Sequence, residues 1–375
     1  MQESLQGAIP ERPSRLLSLD IFRGITMIAM ILVNNAGIEE RSYAPLLHAK
    51  WNGITPTDFI FPSFVFMVGI SITLSYSRQL ANGVPKRQMI GKILKRALIL
   101  FALGVFLSIV PLFNFKDYRV PGVLQRIGIV FAACALLFLY KSWKFQARLG
   151  AIILVAYCLV MTLVPVPGYG YPILEPGKNL AAWLDSYVIP GRMWQGTWDP
   201  EGVLSTFPAI VTGICGMLAG HLIISKKTPE QKIIWLFLAG FISFALANGW
   251  NWFFPINKNL WTSPFVLYVA GLDGMILASM YYIVDVLGYK NRWTFALAFG
   301  SNAIAAYVIA DVSGDVLMAR WHGPHSLSAN DRIINAVLPS GLPPEIISLV
   351  WAILFCLLCF IPVYILYKKK IFLKI

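Results

Sequence analysis

The sequence predicts an all-α polytopic membrane protein with about ten transmembrane helices, and two observations carry this prediction. The chain of 375 residues is 57% hydrophobic and only 13% charged, whereas a soluble domain carries about 25% charged residues. Apolar runs of about 20 residues recur along the chain, and that length spans about 30 Å of hydrocarbon. The ten predicted spans cover residues 19–37, 58–77, 97–112, 122–140, 149–166, 203–224, 233–253, 265–287, 293–313 and 345–367.

The first predicted span follows Arg12 and Arg15, as the apolar core of a signal peptide does. It is too long for such a core and no small-residue cleavage site follows it, so we predict an uncleaved helix. The third span begins late because the cations Lys92, Lys95 and Arg96 precede it. The predicted organisation is a cytoplasmic segment over 1–18, one transmembrane domain over 19–367 and a basic cytoplasmic tail over 368–375.

The net charge of +13 is unevenly distributed between the two sides of the predicted bundle. With a cytoplasmic N-terminus, 20 of the 31 Lys and Arg residues fall in inner segments and 9 in outer loops. This asymmetry follows the positive-inside rule, and it predicts two cytoplasmic termini. We therefore expect a multi-pass protein of the inner (cytoplasmic) membrane, with the lipid bilayer and not a nucleic acid as the partner of its basic residues.

His48 lies in a short polar loop directly before the second span, which the topology puts on the outer side. Imidazole titrates near neutral pH, so it can take a proton from an amine or hydroxyl and return it. The loop also supplies a cation, an aromatic ring, an amide and, at the start of the span, a carboxylate: Lys50, Trp51, Asn52 and Asp58. His322 and His325 are alternative histidines of an outer vestibule, but the Gly-Pro between them indicates a simple turn.

Several polar side chains fall inside predicted spans, where they are costly and usually face an interior cavity. They occupy several helices and several depths, which predicts a polar cavity across much of the bilayer. Asp20 and Arg23 lie three residues apart and form either an intrahelical ion pair or an anion site for a phosphorylated ligand from the cytosol. The others are Asn34, Asn35, Gln125, Arg126, Asp273 and Asn302.

Two predicted outer loops, 165–202 and 314–344, are long, and loops of that kind often carry function. The first contains three Trp and three Tyr residues. These rings form either an interfacial aromatic belt or a stacking surface for a sugar. All five cysteines fall in apolar spans, which predicts no disulfide framework and no metal site.

Seven segments of the chain, in order, resemble the transmembrane acetyltransferase family of heparan-alpha-glucosaminide N-acetyltransferase. The resemblance implies transfer of an acetyl group from cytosolic acetyl-CoA to an amino-sugar or glycan acceptor beyond the membrane. The catalytic histidine of the family matches His48, and the asparagine of its Val-Asn motif matches Asn34. The segments are LDIFRGITMIAMILVNNAG (19–37), HAKWNGITPTDFIFPSFVFMVGISI (48–72), RVPGVLQRIG (119–128), WDPEGVLSTFPAIV (198–211), INKNLW (256–261), GSNAI (300–304) and YILYKKKIFLKI (364–375).

The resemblance and the pattern of polar residues together assign roles. His48 is a general base or an acetyl relay, Asn34 a donor to the thioester oxygen, and Asp58 the group that orients the imidazole. The acetyl-CoA candidates are Arg23, Gln125, Arg126 and Asn302, and the acceptor candidates are Trp51, Asn52, Trp198 and Asp199.

Other functions stay open at the level of the sequence. A permease or accessory transporter for amino sugars such as N-acetylglucosamine fits ten spans and an aromatic loop, although a carrier needs no general base at its outer surface. O-acetylation of a surface polysaccharide by the same scaffold is a third function. The same reasoning leaves a homodimer open.

Overall fold

The described part of the chain is helical, as the sequence predicts. A computed structural model describes residues 16–110, 118–319 and 327–373, and no β-strand occurs among them. The α-helices are α1 (Leu17–Asn34), α2 (Pro56–Ala81), α3 (Lys86–Leu107), α4 (Val123–Tyr140), α5 (Trp143–Leu163), α6 (Leu180–Val188), α7 (Val203–Ile223), α8 (Pro229–Trp250), α9 (Ser263–Met280), α10 (Thr294–Ser301), α11 (Ala303–Met318), α12 (Ala329–Val337) and α13 (Pro344–Lys368).

Eight helices within the described ranges are long and apolar enough to cross a bilayer, namely α1, α2, α4, α5, α7, α8, α9 and α13. The prediction of a polytopic membrane protein is therefore confirmed. The predicted third span belongs to α3, which starts at Lys86 and carries five cations in its first half, so it is not among the eight. The count of ten and the side of each terminus stay predictions.

The predicted ninth span, 293–313, is wrong as one continuous helix. It consists of α10 and α11, which meet at Asn302 with a bend of 87°. Asn302 is buried, and its Oδ1 accepts a hydrogen bond of 3.1 Å from the backbone N–H of Leu373. The C-terminal segment thus satisfies the side-chain oxygen at the break, whereas Asn302 Nδ2 has no hydrogen-bond partner among the described residues.

Helix α2 positions the loop that precedes it. It begins with Pro at its first position and a capping box, in which the backbone N–H of Thr55 donates to Asp58 Oδ2 (3.1 Å). Farther along, α2 lies directly against α7, because a Cβ at Gly69 would overlap the carbonyl oxygen of Gly213, and one at Gly216 that of Phe66. The start of α2 is thus fixed both locally and by packing.

Helices α1 and α10 approach each other equally closely. A Cβ at Gly24 would overlap the carbonyl oxygen of Ala296, and one at Gly300 that of Asp20. Helix α8, by contrast, buries only Leu236, Gly240 and Ala247 within the described structure. Its remaining apolar side chains are available to lipid, as expected of a peripheral span.

Candidate active site

His48 lies against the first turn of α2. Its Nδ1 is 2.7 Å from Asp58 Oδ1, and about half of its side chain (52%) is exposed while that of Asp58 is 2% exposed. The histidine is therefore held at one ring nitrogen and accessible elsewhere. That is the arrangement a general base needs, because the other nitrogen has to reach a substrate.

Asp58 is fixed by the same contacts that start the helix. Its Oδ2 accepts hydrogen bonds from the backbone N–H groups of Ala49 (2.9 Å) and Thr55 (3.1 Å) and from the Thr55 hydroxyl (3.1 Å). These donors occupy Oδ2 and leave Oδ1 to accept from His48. A carboxylate beside Nδ1 favours the tautomer that carries its proton there, so the Nε2 lone pair stays free.

Lys258, on the loop between α8 and α9, completes this group, and we call His48, Asp58 and Lys258 the His48 cluster. Its Nζ lies 3.0 Å from His48 Nδ1 and 3.5 Å from Asp58 Oδ1, with 15% of the side chain exposed. Burial lowers the pKa of Lys258 from its ordinary value, while the charges of Asp58 and Glu201 oppose that shift. The sequence analysis missed Lys258, although it lies within the segment INKNLW.

The loop of Lys258 docks on the loop of His48 through its backbone and amides. Gly53, with a positive φ of 100°, donates its N–H to the carbonyl of Ile256 (2.8 Å), and Asn257 Nδ2 donates to Asn52 Oδ1 (3.1 Å). Asn52, predicted as an acceptor-binding residue, thus has a structural partner on its oxygen. These contacts hold the two loops in register and bring Lys258 to the histidine.

Trp51 and Trp198 form an aromatic pair next to the His48 loop. Their ring centroids are 5.0 Å apart and their planes are inclined by 79°. The indole N–H of Trp51 donates to the carbonyl of Leu174 (2.8 Å), which ties the long loop 165–202 to this place. The structure therefore brings together two of the four predicted acceptor residues, both partly accessible.

Asp199 is buried and its oxygens are occupied. Arg119 donates to Oδ2 (2.8 Å) and Oδ1 (2.6 Å), and the backbone N–H groups of Trp194 and Glu201 complete the set. Although burial raises the pKa of Asp199, the hydrogen bonds and charge of Arg119 hold it below its ordinary value. These bonds thus make Asp199 a structural contact of the loop 165–202. Its contact with a substrate stays a prediction.

Asn34 lies at the end of α1, in a cleft of about 120 Å³ and outside the His48 cluster. The cleft is lined on the α11 side by Tyr307, Asp311 and Asp315. Asn34 is exposed, whereas the neighbouring Asn35 is buried and donates to the carbonyl of Ile31. Glu201 acts electrostatically on both Lys258 of the cluster and Tyr307 of this cleft.

The four predicted acetyl-CoA residues fall into two groups. Arg126, fully buried in α4, donates to the carbonyl of Gly202 (3.0 Å) and to Ser205 Oγ (2.6 Å) and lies 5.0 Å from the Trp261 ring. Its Nε and Nη1 have no hydrogen-bond partner among the described residues. Gln125, the preceding residue of α4, is also buried, and its amide lies close to Gly104 of α3. Arg126 thus lies where α4 meets the start of α7, and Gln125 lies where α4 meets α3.

Arg23 belongs to the other end of the bundle, with Asn302. It donates to Asp20 Oδ1 (3.2 Å) in its own helix and to Ser71 Oγ (2.8 Å) in α2, so the ion pair that the sequence offered as one alternative exists. Arg96 of α3 is near enough to act electrostatically on it. We call Asp20, Arg23 and Arg96 the Arg23 region.

His322 and His325 lie outside the described residues. His221 stacks on Phe138, with centroids 5.4 Å apart. No group of three or more His, Cys, Asp or Glu side chains within the described ranges is arranged to hold a metal ion.

Comparison with known proteins gives consistent matches. A family model described as heparan-alpha-glucosaminide N-acetyltransferase, catalytic, matches residues 15–243. Heparan-alpha-glucosaminide N-acetyltransferase of Homo sapiens is 30% identical over 424 aligned positions, covering 97% of this chain and 60% of the relative. The protein of the same name from Mus musculus is 30% identical over 422 positions, covering 96% and 61%. The chain thus spans about three fifths of the length of these relatives.

Proposed function

Since this chain belongs to the family of the heparan-alpha-glucosaminide N-acetyltransferase catalytic region, we propose that it is a membrane-embedded N-acetyltransferase. The donor is acetyl-CoA from the cytosol, and the acceptor is an amino sugar or glycan on the outer side of the inner membrane. The hydrogen bond of 2.7 Å between His48 Nδ1 and the buried Asp58 carries this proposal. It leaves Nε2 of an accessible imidazole as a base, as amide formation from an amine requires.

The proposed reaction runs between the acceptor amine and the thioester carbonyl. The amine nitrogen attacks the carbonyl carbon while His48 Nε2 takes the proton from the nitrogen. The C–S bond then breaks, and the same proton passes to the departing thiolate of CoA. A relay through acetyl-His48 is the alternative route, and a labelled acetyl group found on His48 in the absence of acceptor distinguishes it.

The acceptor site is proposed at the Trp51–Trp198 pair. The rings are partly exposed, and Trp51 lies in the same loop as His48, three residues after it. Aromatic faces suit the apolar face of a sugar ring, and the polar groups around the cluster suit its hydroxyls. We expect the amino group of a sugar that is stacked on these rings to lie near His48.

The donor is proposed to cross the bundle. Its phosphates need cations near the cytosol, which Arg23 and Arg96 supply. Its thioester reaches the other end, where Asn34 lines a polar cleft at the end of α1. An amide N–H that donates to the thioester oxygen stabilises the charge that develops there.

The test is transfer of radiolabelled acetyl from acetyl-CoA to glucosamine by the purified protein in liposomes. Asp58→Asn keeps a side-chain acceptor at the capping box and removes the charge beside His48, so the rate is expected to fall about 10²-fold. The matched control is Asp331→Asn, because Asp331 holds the same position of a capping box at the start of α12. Its rate is expected to match the wild type.

Two outcomes contradict the proposal. Uptake of labelled N-acetylglucosamine into the liposomes without acetyl transfer identifies a permease. Acetyl transfer that is equally fast in the Asp58→Asn and Asp331→Asn proteins removes the His48–Asp58 pair from the chemistry.

A further inference from the structure

Lys258 approaches His48 in an unusual direction. Its Nζ is 3.0 Å from Nδ1 and 3.5 Å from Nε2, so the two ring nitrogens are almost equally distant. A donor that approached Nδ1 from outside the ring, in the ring plane, would be farther from Nε2 than from Nδ1 by nearly the full distance between the two nitrogens. Nζ therefore lies over the face of the imidazole, and the in-plane position at Nδ1 is left to Asp58 Oδ1.

Three charged side chains of the described residues act on the imidazole or on the lysine beside it. Asp58 faces it from α2, Lys258 from the loop before α9, and Glu201, from the loop before α7, acts on Lys258. An ammonium over the ring opposes a second positive charge on the imidazole, whereas Asp58 favours one. Because Lys258 is mostly buried, its charge is screened less than that of a surface lysine.

We propose that Lys258 is a positioning residue of the acetyl-transfer site, whose ammonium keeps His48 neutral and its Nε2 lone pair available to the acceptor amine. This inference rests on the proposed function. Asp58 orients the ring, but its negative charge also favours the imidazolium, and an imidazolium is no base. Lys258 offsets that effect while sharing Asp58 Oδ1, so the cluster keeps its orientation without losing basicity.

The test of this role is to remove the charge over the ring. Methionine removes it, whereas arginine keeps a positive charge over the whole working range of pH. Lys258→Arg is therefore expected to preserve the effect of Lys258 on His48.

The experiment follows the protonation of His48 in two ways, by chemical modification of its ring and by the rate of acetyl transfer. Diethyl pyrocarbonate modifies neutral imidazole, and the extent of modification of His48 is followed by mass spectrometry of the full chain across pH. In Lys258→Met the midpoint is expected to move up by about one pH unit. It is expected to stay in place in Lys258→Arg and in the control Lys50→Met, which alters an exposed lysine of the His48 loop.

Acetyl transfer to glucosamine is measured on the same proteins. The acidic limb of the pH–rate profile is expected to move with the midpoint in Lys258→Met, because the titration of glucosamine itself is common to all variants. An unmoved midpoint in a protein that transfers acetyl groups overturns the inference and leaves the proposed function standing. A wild-type protein that transfers no acetyl group overturns the proposed function, and with it the role of Lys258.

Discussion

The His48 cluster and the Arg23 region hold their polar side chains in opposite ways. In the first, two loops and a helix cap bring a half-exposed imidazole, a buried carboxylate and a lysine into contact. In the second, Arg23 lies within a helix and already donates to Asp20 and Ser71. The contacts of the His48 cluster are thus already in place, whereas Arg23 must give up its contacts with Asp20 and Ser71 to bind a phosphate. Substitutions are therefore expected to affect the rate at one end and the binding of the donor, more weakly, at the other.

The largest effect is expected from His48→Ala. Loss of a general base costs about 10²–10⁴ in rate, and a lost acetyl relay costs more. Binding of CoA, measured by calorimetry in detergent, is expected to stay near the wild-type value, because the cluster is separate from the Arg23 region. Wild-type turnover in this variant would exclude His48 from the chemistry.

Asn34→Ala is expected to lower the rate by about 10²–10³ through loss of a donor to the thioester oxygen. Asn34 is exposed in its cleft, so the unfolding temperature is expected to change little. The neighbouring Asn35→Ala provides the contrast, because Asn35 is buried and bonded to Ile31. That variant is expected to lose stability by about 1 kcal/mol and to keep its rate per folded molecule. Equal rates in both variants would exclude Asn34 from the chemistry.

How much of this could be predicted from sequence depends on distance along the chain. His48 and Asp58 are ten residues apart, and the Thr-x-x-Asp pattern at the start of α2 predicts the turn that joins them. Lys258 is 210 residues from His48. No local pattern distinguishes it from other loop lysines, since only the docking of two loops brings it there.

Helix breaks and the partners of polar side chains are harder to predict, for a different physical reason. Hydropathy locates a span without showing whether its helix continues, so the break at Asn302 was invisible. The contact of Asp199 with a substrate stays a prediction, and only the folded structure shows that Arg119, 80 residues earlier, donates to both of its oxygens. The sequence shows that such a polar residue needs a hydrogen-bond partner, but only the folded structure shows which residue that partner is.

Stability is expected to depend on pH at the His48 end, through Asp185 in the loop 165–202. Burial raises the pKa of Asp185 to about 6 from 3.8, although its Oδ1 accepts from the N–H of Val203. A carboxyl whose pKa is higher in the folded than in the unfolded state stabilises the fold at pH values below about 4, where it is protonated in both states. That contribution, up to about 2–3 kcal/mol, is lost as the pH rises from about 4 to about 6.

Asp185→Asn keeps the hydrogen-bond acceptor and cannot ionise. The difference in unfolding temperature between this variant and the wild type is therefore expected to grow in favour of the variant from pH 4 to 6 and to level off above. A difference that is constant across this range would contradict the assignment.

The smallest effect is expected from Arg23→Ala. Because Arg23 must leave Asp20 and Ser71 to meet a phosphate, its net contribution is that of a partly exposed ion pair, and the Kd of CoA is expected to rise two- to fivefold. Arg23→Lys serves as the control that keeps the charge. Unchanged affinity in Arg23→Ala would remove this residue from the donor site, and a loss as large as that of His48→Ala would end the contrast between the two ends.

The glycine contacts between helices determine how the protein can move. Where α2 meets α7 and α1 meets α10, backbone lies on backbone with no side chain between to change its rotamer. Each pair is therefore expected to travel as a rigid body, since sliding would drive carbonyl oxygens into Cα atoms. Movement between these two pairs is then expected to be a hinging of one against the other, while the cap of α2 carries the imidazole along unchanged.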